Sequence, residues 1–276
     1  MFEKTILFRG NDFILKSLDH VNIEDAYNFK PTKDWFEKLE KEQNLHLDDL
    51  EFRDIFYIDN QVRFVSLICK IRDHELSFDE YIKQYNSYKN YYMPGYVFLT
   101  GDKFSLLPVL SCEENNNLYT IVLEQTRLPI VDIKKIEITT GHLLDNNVLS
   151  ESSTLNKIKE ILKIKNFNNH NLIDLGSMSW SGKSKWTTCC SLIDENIISY
   201  AFHKKVKLSW IDKINQQKNN DKIKVKVIFL DDLWGYSRDS KTLAAYCLYQ
   251  NLVKYKCIDK KLNKLRPQYP CSCLIS

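Results

Sequence analysis

Residues 123–164 constrain the fold more than any other stretch, because strand patterns there are followed by one amphipathic helix. The β-branched and apolar run at residues 119–124 predicts a strand, and two shorter apolar pieces flank Gly141. A Ser/Thr-rich segment at residues 150–154 predicts a capped helix start. The apolar positions of that helix recur at helical spacing, namely Leu155, Ile158, Ile161 and Leu162. This order predicts a helix that packs on a β-sheet.

The order of these elements resembles the Nudix hydrolases, and within them the ADP-ribose and ADP-sugar diphosphatases. The family's first motif, E-Q-x-R-x-P, is matched by Glu124, Gln125, Arg127 and Pro129. Its second motif, E-x-x-x-G, is matched by Glu137 and Gly141. The resemblance implies the α/β class, as a Nudix α/β/α sandwich with a mixed sheet, preceded by a smaller β-rich N-terminal domain.

The catalytic box that follows Gly141 in the family is degenerate in this chain. Asn156 and Lys157 stand where the family has Arg and Glu, and Ile161 replaces the second of two paired glutamates. Magnesium requires hard oxygen ligands, and pyrophosphate hydrolysis requires the metal to neutralise phosphate charge and activate water. Glu160 is therefore expected to be the single surviving metal ligand and catalytic carboxylate, with Mg²⁺ as cofactor only if activity survives.

The resemblance also implies roles for the matched residues. Arg127 would contact phosphate, while Glu137 and Gly141 would help to place an ADP-ribose or ADP-sugar type nucleotide. The leading hypothesis is a catalytically impaired pseudo-hydrolase that binds a nucleotide or a protein partner. Lys157 and Lys159 favour phosphate over a divalent cation in this hypothesis, although charge runs more often form a solvated helix face, which is the ordinary explanation of both lysines.

Two alternatives remain open. The first is an active, atypical Mg²⁺-dependent ADP-sugar diphosphatase, in which other acids replace the missing ligands. The candidate replacements are Asp145, Glu151, Asp194 and Glu195. The second alternative is a purely structural interaction module, which a filled cleft beside Arg127 and Glu137 would favour.

Length and composition set the outer limits. The chain has 276 residues, 43% hydrophobic and 27% charged, which is enough for a sizeable globular core. We expect a β-rich N-terminal domain with a helix at residues 1–92, a Nudix-like domain at 93–253 and a basic tail at 254–276. A net charge of +3 is too small to indicate a nucleic-acid partner. The eight cysteines lack paired metal-ligand spacing and are expected to be reduced thiols of a cytoplasmic protein.

Outside the motif, the sequence predicts further elements. A hairpin is expected across Asp59-Asn60, and short strands around Gly10-Asn11. Residues 172–178 are expected to form a strand, residues 207–222 a surface loop, and residues 238–252 the last helix. That last segment begins with a D-x-K-T-L-A-A pattern, which resembles the end of the ADP-ribose diphosphatases.

The last four residues of the sequence, 273–276, match a C-a-a-X pattern in which serine favours a farnesyl group. Cys273 would carry the prenyl group, and Cys271 offers a second lipidation site. The basic stretch before them would add attraction to an anionic membrane surface, since one lipid chain anchors only weakly. We therefore expect a protein peripheral to a cytosolic membrane face, with an unmodified basic tail as the alternative. A homodimer is expected from analogy alone.

Overall fold

Two mixed β-sheets, each with its own hydrophobic core, organise the described part of the chain. The computed structural model describes residues 1–73, 95–127, 132–143, 159–160, 172–179, 184–188, 193–216, 223–255 and 257–258. The first compact unit comprises Met1–Asp102 and Cys189–Glu195, and the second comprises Lys103–Thr188 and Asn196–Ser276. The mixed α/β class predicted from the sequence is confirmed.

The first unit is a six-stranded sheet with two helices on one of its faces. Its elements are β1 (Phe2–Phe8), β2 (Asn11–Ser17), α1 (Ile23–Asn28), α2 (Lys30–Lys41), β3 (Leu45–Ile58), β4 (Gln61–Asp73), β5 (Tyr96–Leu99) and β12 (Ile193–Asp194). The sheet order is β1-β2-β3-β4-β5-β12. The β2–β3 and β5–β12 pairs are parallel, and the other neighbours are antiparallel.

Local signals explain where these elements begin and turn. The Asn22 side chain caps α1 by accepting hydrogen bonds from the backbone N–H groups of Glu24 and Asp25. Asp59 and Asn60 adopt positive φ values of 51° and 58°, which the tight β3–β4 hairpin requires. The hairpin predicted across these two residues is therefore confirmed.

The second unit is an eight-stranded sheet between helices. Its elements are β6 (Lys103–Cys112), β7 (Leu118–Arg127), β8 (Asp132–Glu137), β9 (Thr139–His142), β10 (Leu172–Asp174), α3 (Leu175–Ser179), β11 (Lys185–Thr187), β13 (Asn196–Val206), α4 (Leu208–Gln216), β14 (Ile223–Phe229), α5 (Leu233–Tyr236) and α6 (Ser240–Lys254). The central order is β10-β13-β6-β7-β14, with β11 on β13, β8 on β7 and β9 on β6. Only the β6–β13 pair is parallel among the described pairings of this sheet.

Each face of this second sheet packs on different helices. On one face, Ile211 and Ile214 of α4 join a core that includes Leu106 of β6. On the opposite face, α6 packs on a core that includes Leu107, the next residue of β6. Successive strand residues point to opposite faces, so both faces of one strand are buried. The unit is thus a three-layer arrangement of helix, sheet and helix.

Two sequence expectations in this unit are wrong. Residues 172–178 do not form one strand, because the Asp174 side chain accepts a hydrogen bond of 2.9 Å from the N–H of Ser177 and caps a helical turn, α3. The expected surface loop at 207–222 contains α4, whose first residue, Leu208, donates its N–H to the Glu114 carboxylate at 2.9 Å. Residues 217–222 lie outside the described residues.

The division between units also differs from the expected domain limit. The first unit extends to Asp102, whereas the sequence placed the limit after residue 92. The difference arises because Tyr96–Leu99 pairs with β4 and so belongs to the first sheet.

The basic tail is described only as far as residue 258. Cys271 and Cys273 lie outside the described residues, so their lipidation stays a prediction. In the part of the chain that the structure describes, no helix combines the length and the apolar character needed to cross a membrane.

Candidate functional site

Three polar side chains meet on one face of the β7–β8 pair. The register places Glu137 opposite Leu123, and side chains two residues apart share a face of a strand. Gln125 and Arg127 therefore point to the same side as Glu137. The Oε1 atom of Glu137 accepts hydrogen bonds from both, from Nε2 of Gln125 and from Nη2 of Arg127.

Burial differs sharply between the two charged members of this cluster. The Glu137 residue is 4% exposed, while the Arg127 side chain is 42% exposed. A buried carboxylate is costly unless it is paired, so Arg127 and Gln125 account for its presence in the sheet. A guanidinium carries five N–H donors, and the exposed part of Arg127 leaves donors that can bind an anion from solution.

A second positive charge lies beside this cluster. Lys135 pairs with Gln125 in the β7–β8 register, and it is half-buried on the same face as Glu137. The register also places Asp132 opposite Arg127, so this strand pair carries acids as well as cations. The group here that can attract an anion such as phosphate is the exposed part of the Arg127 guanidinium.

The chain changes partner strands immediately after Glu137. β8 pairs with β7, whereas β9 pairs with β6, so the intervening Ile138 sits where the pairing passes from one strand to the other. Ile138 is fully buried. Its N–H donates to Oγ1 of Thr242 at 3.0 Å, and the carbonyl of Ile136 accepts from Oγ of Ser237 at 2.7 Å.

Gly141 has a packing role that the sequence did not reveal. A Cβ atom at this position would lie 2.6 Å from Cε1 and 2.9 Å from Cζ of Phe104, whose ring is buried. Glycine allows β9 to approach this ring closely. The expected contact of Gly141 with substrate stays a prediction.

In the helix predicted after Gly141, the structure describes only Lys159 and Glu160. Both residues are helical, and Glu160 is exposed. Asn156, Lys157 and Ile161 lie outside the described residues. Glu160 as a catalytic and metal-binding residue stays a prediction.

The described side chains do not fit a magnesium site. Over the described ranges, no group of three His, Cys, Asp or Glu residues converges in a way that could hold a metal ion. The Glu137 carboxylate is already neutralised by Arg127. Since Mg²⁺ demands several hard oxygen ligands, the described donor set offers it no site.

The alternative acids fall into two groups. Asp145 and Glu151 lie outside the described residues. Asp194 belongs to the first unit, where Lys38 Nζ donates to its two oxygens at 3.0 and 3.1 Å. Glu195 follows it in the same unit and is 5% exposed. Asp194 is thus held by a lysine within the first unit.

Glu124 faces away from Gln125 although the two are adjacent in the motif. Its carboxylate pairs with Lys226 of β14, on the face opposite to Glu137. The hydrogen bond from Lys226 lowers the pKa of Glu124, and burial opposes this shift only in part. The motif residues that share one face are therefore Gln125, Arg127 and Glu137.

Sequence reasoning missed the hydroxyl groups that hold the strand around Glu137. Ser237 and Thr242 are 2% and 0% exposed. The available signal was the pattern at residues 239–242, where Asp239 caps α6 and Thr242 follows three residues later. The pattern predicted a helix start and gave no indication of a contact with Ile138.

Comparisons with known proteins give structural similarity alone. No protein-family model matches the sequence, and no curated protein matches it. An ADP compounds hydrolase aligns with 8% identity and a TM-score of 0.45 over 78% of this chain and 96% of that one. A mutT/nudix family protein from Listeria innocua aligns with 14% identity and a TM-score of 0.34, over 56% and 95% of the two chains.

A third similar structure is the C-terminal domain of mouse MUTYH, solved in complex with human PCNA. It aligns with 6% identity and a TM-score of 0.38, over 55% of this chain and 89% of that one. All three alignments have TM-scores below 0.5 at very low sequence identity, so function is inferred below from the chain's own residues.

Proposed function

We propose that this chain is a Nudix-like protein that binds an ADP-ribose or ADP-sugar type nucleotide and has lost most or all hydrolysis. The observation that carries the proposal is the buried Glu137 carboxylate, held by Gln125 and by a half-exposed Arg127. These are the residues on which the sequence resembles the ADP-sugar diphosphatases.

The binding step is supported by the charges at this site. Glu137 fixes one nitrogen of the Arg127 guanidinium, so the orientation of the remaining donors is largely set before a ligand arrives. Guanidinium groups bind phosphate through charge-assisted hydrogen bonds, which are stronger than neutral ones. The diphosphate is therefore the part of the ligand that this site fits best.

The loss of hydrolysis is supported by the missing carboxylates. Magnesium would supply charge neutralisation and an activated water if it were bound. Glu160 is the single acid that matches the family's metal-binding glutamates, because Lys157 and Ile161 replace two others. One carboxylate on an exposed helix face is a weak magnesium ligand set.

Isothermal titration with ADP-ribose, with and without Mg²⁺, tests the proposal when AMP release is followed in the same samples. We expect binding without AMP release, and binding at least tenfold weaker in Arg127→Ala, a loss of about 1.4 kcal/mol. Arg63→Ala is the matched control, because Arg63 is half-buried in β4 of the other compact unit.

The second candidate function, an active atypical diphosphatase, makes the opposite prediction. Mg²⁺-dependent AMP release that Glu160→Gln abolishes would establish that function and overturn the proposed loss of turnover. No binding and no release would leave the fold as an interaction module and would reject both nucleotide functions.

A further inference from the structure

We infer that Ser237 and Thr242 are positioning residues for Glu137 and, through it, for Arg127. This inference rests on the proposed function, since it concerns the same anion-binding face. It gives a role to the residues around the start of α6, for which the sequence predicted only the beginning of the last helix.

The two hydroxyl groups bind the backbone on either side of Glu137. The Thr242 hydroxyl accepts from the N–H of Ile138 at 3.0 Å, and the Ser237 hydroxyl donates to the carbonyl of Ile136 at 2.7 Å. The peptide groups before and after Glu137 are therefore both held by side chains that are 101 and 104 residues away in sequence.

The backbone at Ile138 needs a side-chain partner because it lies between two strand pairings. Because β8 pairs with β7 and β9 pairs with β6, Ile138 belongs to neither ladder. A buried N–H group without an acceptor costs free energy comparable to a lost hydrogen bond. Thr242 supplies that acceptor at the point where the chain changes partner strands.

The two hydroxyl groups are themselves fixed in one orientation by hydrogen bonds with Asp239. Oδ2 of Asp239 accepts from the Thr242 hydroxyl at 2.8 Å and from the Thr242 N–H at 2.9 Å. With its proton directed to Asp239, the Thr242 oxygen offers a lone pair to Ile138. Ser237 likewise accepts from the N–H of Asp239 at 3.2 Å while donating to Ile136.

The hydroxyl groups and the Glu137 carboxylate lie on opposite faces of the same strand. Residues 136 and 138 point to the α6 side of the sheet, and Glu137 points to the other side. Holding the backbone on one side of the strand fixes the direction of the carboxylate on the other side. The guanidinium of Arg127 depends on that carboxylate for its orientation.

Titration of the full chain with ADP-ribose tests the inference through Thr242→Val, which keeps the side-chain shape and removes the hydroxyl. We expect binding at least fivefold weaker in Thr242→Val, and binding within about twofold of wild type in Thr242→Ser, which keeps the hydroxyl. Ser237→Ala is the second variant and should weaken binding in the same direction if Thr242→Val fails to fold.

A double-mutant cycle separates positioning from a general loss of stability. If Thr242 acts through Glu137, Thr242→Val should change affinity much less in the Glu137→Gln background than in wild type. Equal weakening in both backgrounds would overturn the inference. Unchanged affinity in the well-folded Thr242→Val variant would also overturn it and would leave the proposed function intact.

An NMR measurement without nucleotide keeps the two proposals distinguishable. The Nε–Hε signal of Arg127 should shift in Thr242→Val and stay in place in Thr242→Ser. If wild type does not bind ADP-ribose, the proposed function fails while this signal still tests the positioning role. An Arg127 signal that is identical in wild type and Thr242→Val would reject that role.

Discussion

Asn215 of α4 binds both backbone groups of Val227 in β14 through its side-chain amide. Its Nδ2 atom donates to the Val227 carbonyl at 3.1 Å, and its Oδ1 atom accepts from the Val227 N–H at 2.8 Å. β14 is the last strand in the described order of the second sheet. An edge strand offers unpaired backbone groups to other chains, so Asn215 occupies a position that a foreign strand would otherwise use.

Asn215→Ala should therefore increase self-association and lower stability modestly. Two part-buried hydrogen bonds to Val227 are lost, so the free energy of unfolding should fall by about 1–2 kcal/mol. Sedimentation velocity over a concentration series should show a larger oligomeric fraction than in wild type. Gln216→Ala is the matched control, because Gln216 is exposed on the same helix turn. Equal association of the two variants would contradict the edge-protecting role.

The sequence predicted α4 poorly because its helical signal is short. Lys207 to Lys222 is rich in polar residues, and the buried positions of α4 are only Ile211 and Ile214. Tertiary packing of those two side chains decides the structure, which composition alone does not show. By contrast, Asp59-Asn60 predicted its hairpin correctly, because a two-residue turn depends on local φ preferences.

Part of the candidate site was predictable and part was not. Strand alternation alone places Gln125 and Arg127 on one face and Glu124 on the other. Thr242 and Ile138, which are in contact, are 104 residues apart in sequence. Their contact depends on the pairing of β8 with β7 and of β9 with β6. No local pattern carries that information, so the role of the residues that open α6 became visible only in the folded structure.

The Arg127–Glu137 pair should show an asymmetric cost when either member is changed. In Arg127→Ala, the carboxylate of Glu137, a residue that is 4% exposed, keeps only the neutral amide of Gln125 as a donor. In Glu137→Gln, the group that loses its partner is the Arg127 guanidinium, which water can reach. An uncompensated buried charge is the costlier state. We expect Arg127→Ala to lower the free energy of unfolding in urea by about 2–3 kcal/mol and Glu137→Gln by about 1 kcal/mol.

The double variant Arg127→Ala/Glu137→Gln provides the internal control for that asymmetry. It removes both charges and should recover part of the stability lost in Arg127→Ala. A larger cost for Glu137→Gln than for Arg127→Ala would show that the carboxylate is less desolvated than its burial indicates.

Gly141→Ala should destabilise the second unit through contact with Phe104. The added Cβ atom would lie 2.6 Å from the Phe104 ring, which is 2% exposed and has little room to move. Overpacking of this kind costs about 1–3 kcal/mol, which thermal and urea unfolding would detect. Gly235→Ala is the matched control, since no atom lies within 4 Å of a Cβ built there. Gly141→Ala should cost less in the Phe104→Leu background than in wild type, and an equal cost in both backgrounds would reject the steric explanation.

The buried thiol of Cys69 should make the first unit less stable at alkaline pH. Cys69 is 5% exposed in the core of the first unit, and burial raises the pKa of its thiol from 9.0 to about 11. Because the pKa is raised in the folded state, the thiol of the unfolded chain ionises first as pH rises. The stabilisation by the neutral buried thiol is therefore complete below pH 9 and is lost as pH rises towards 11. We expect wild type to lose on the order of 2 kcal/mol relative to Cys69→Ala across that range. Urea unfolding of both proteins at several pH values measures this difference in the free energy of unfolding. Lysines and tyrosines titrate in both proteins, so their contributions cancel in the comparison. A difference that stays constant from pH 8 to 11 would show that the thiol ionises as readily in the folded core as in water.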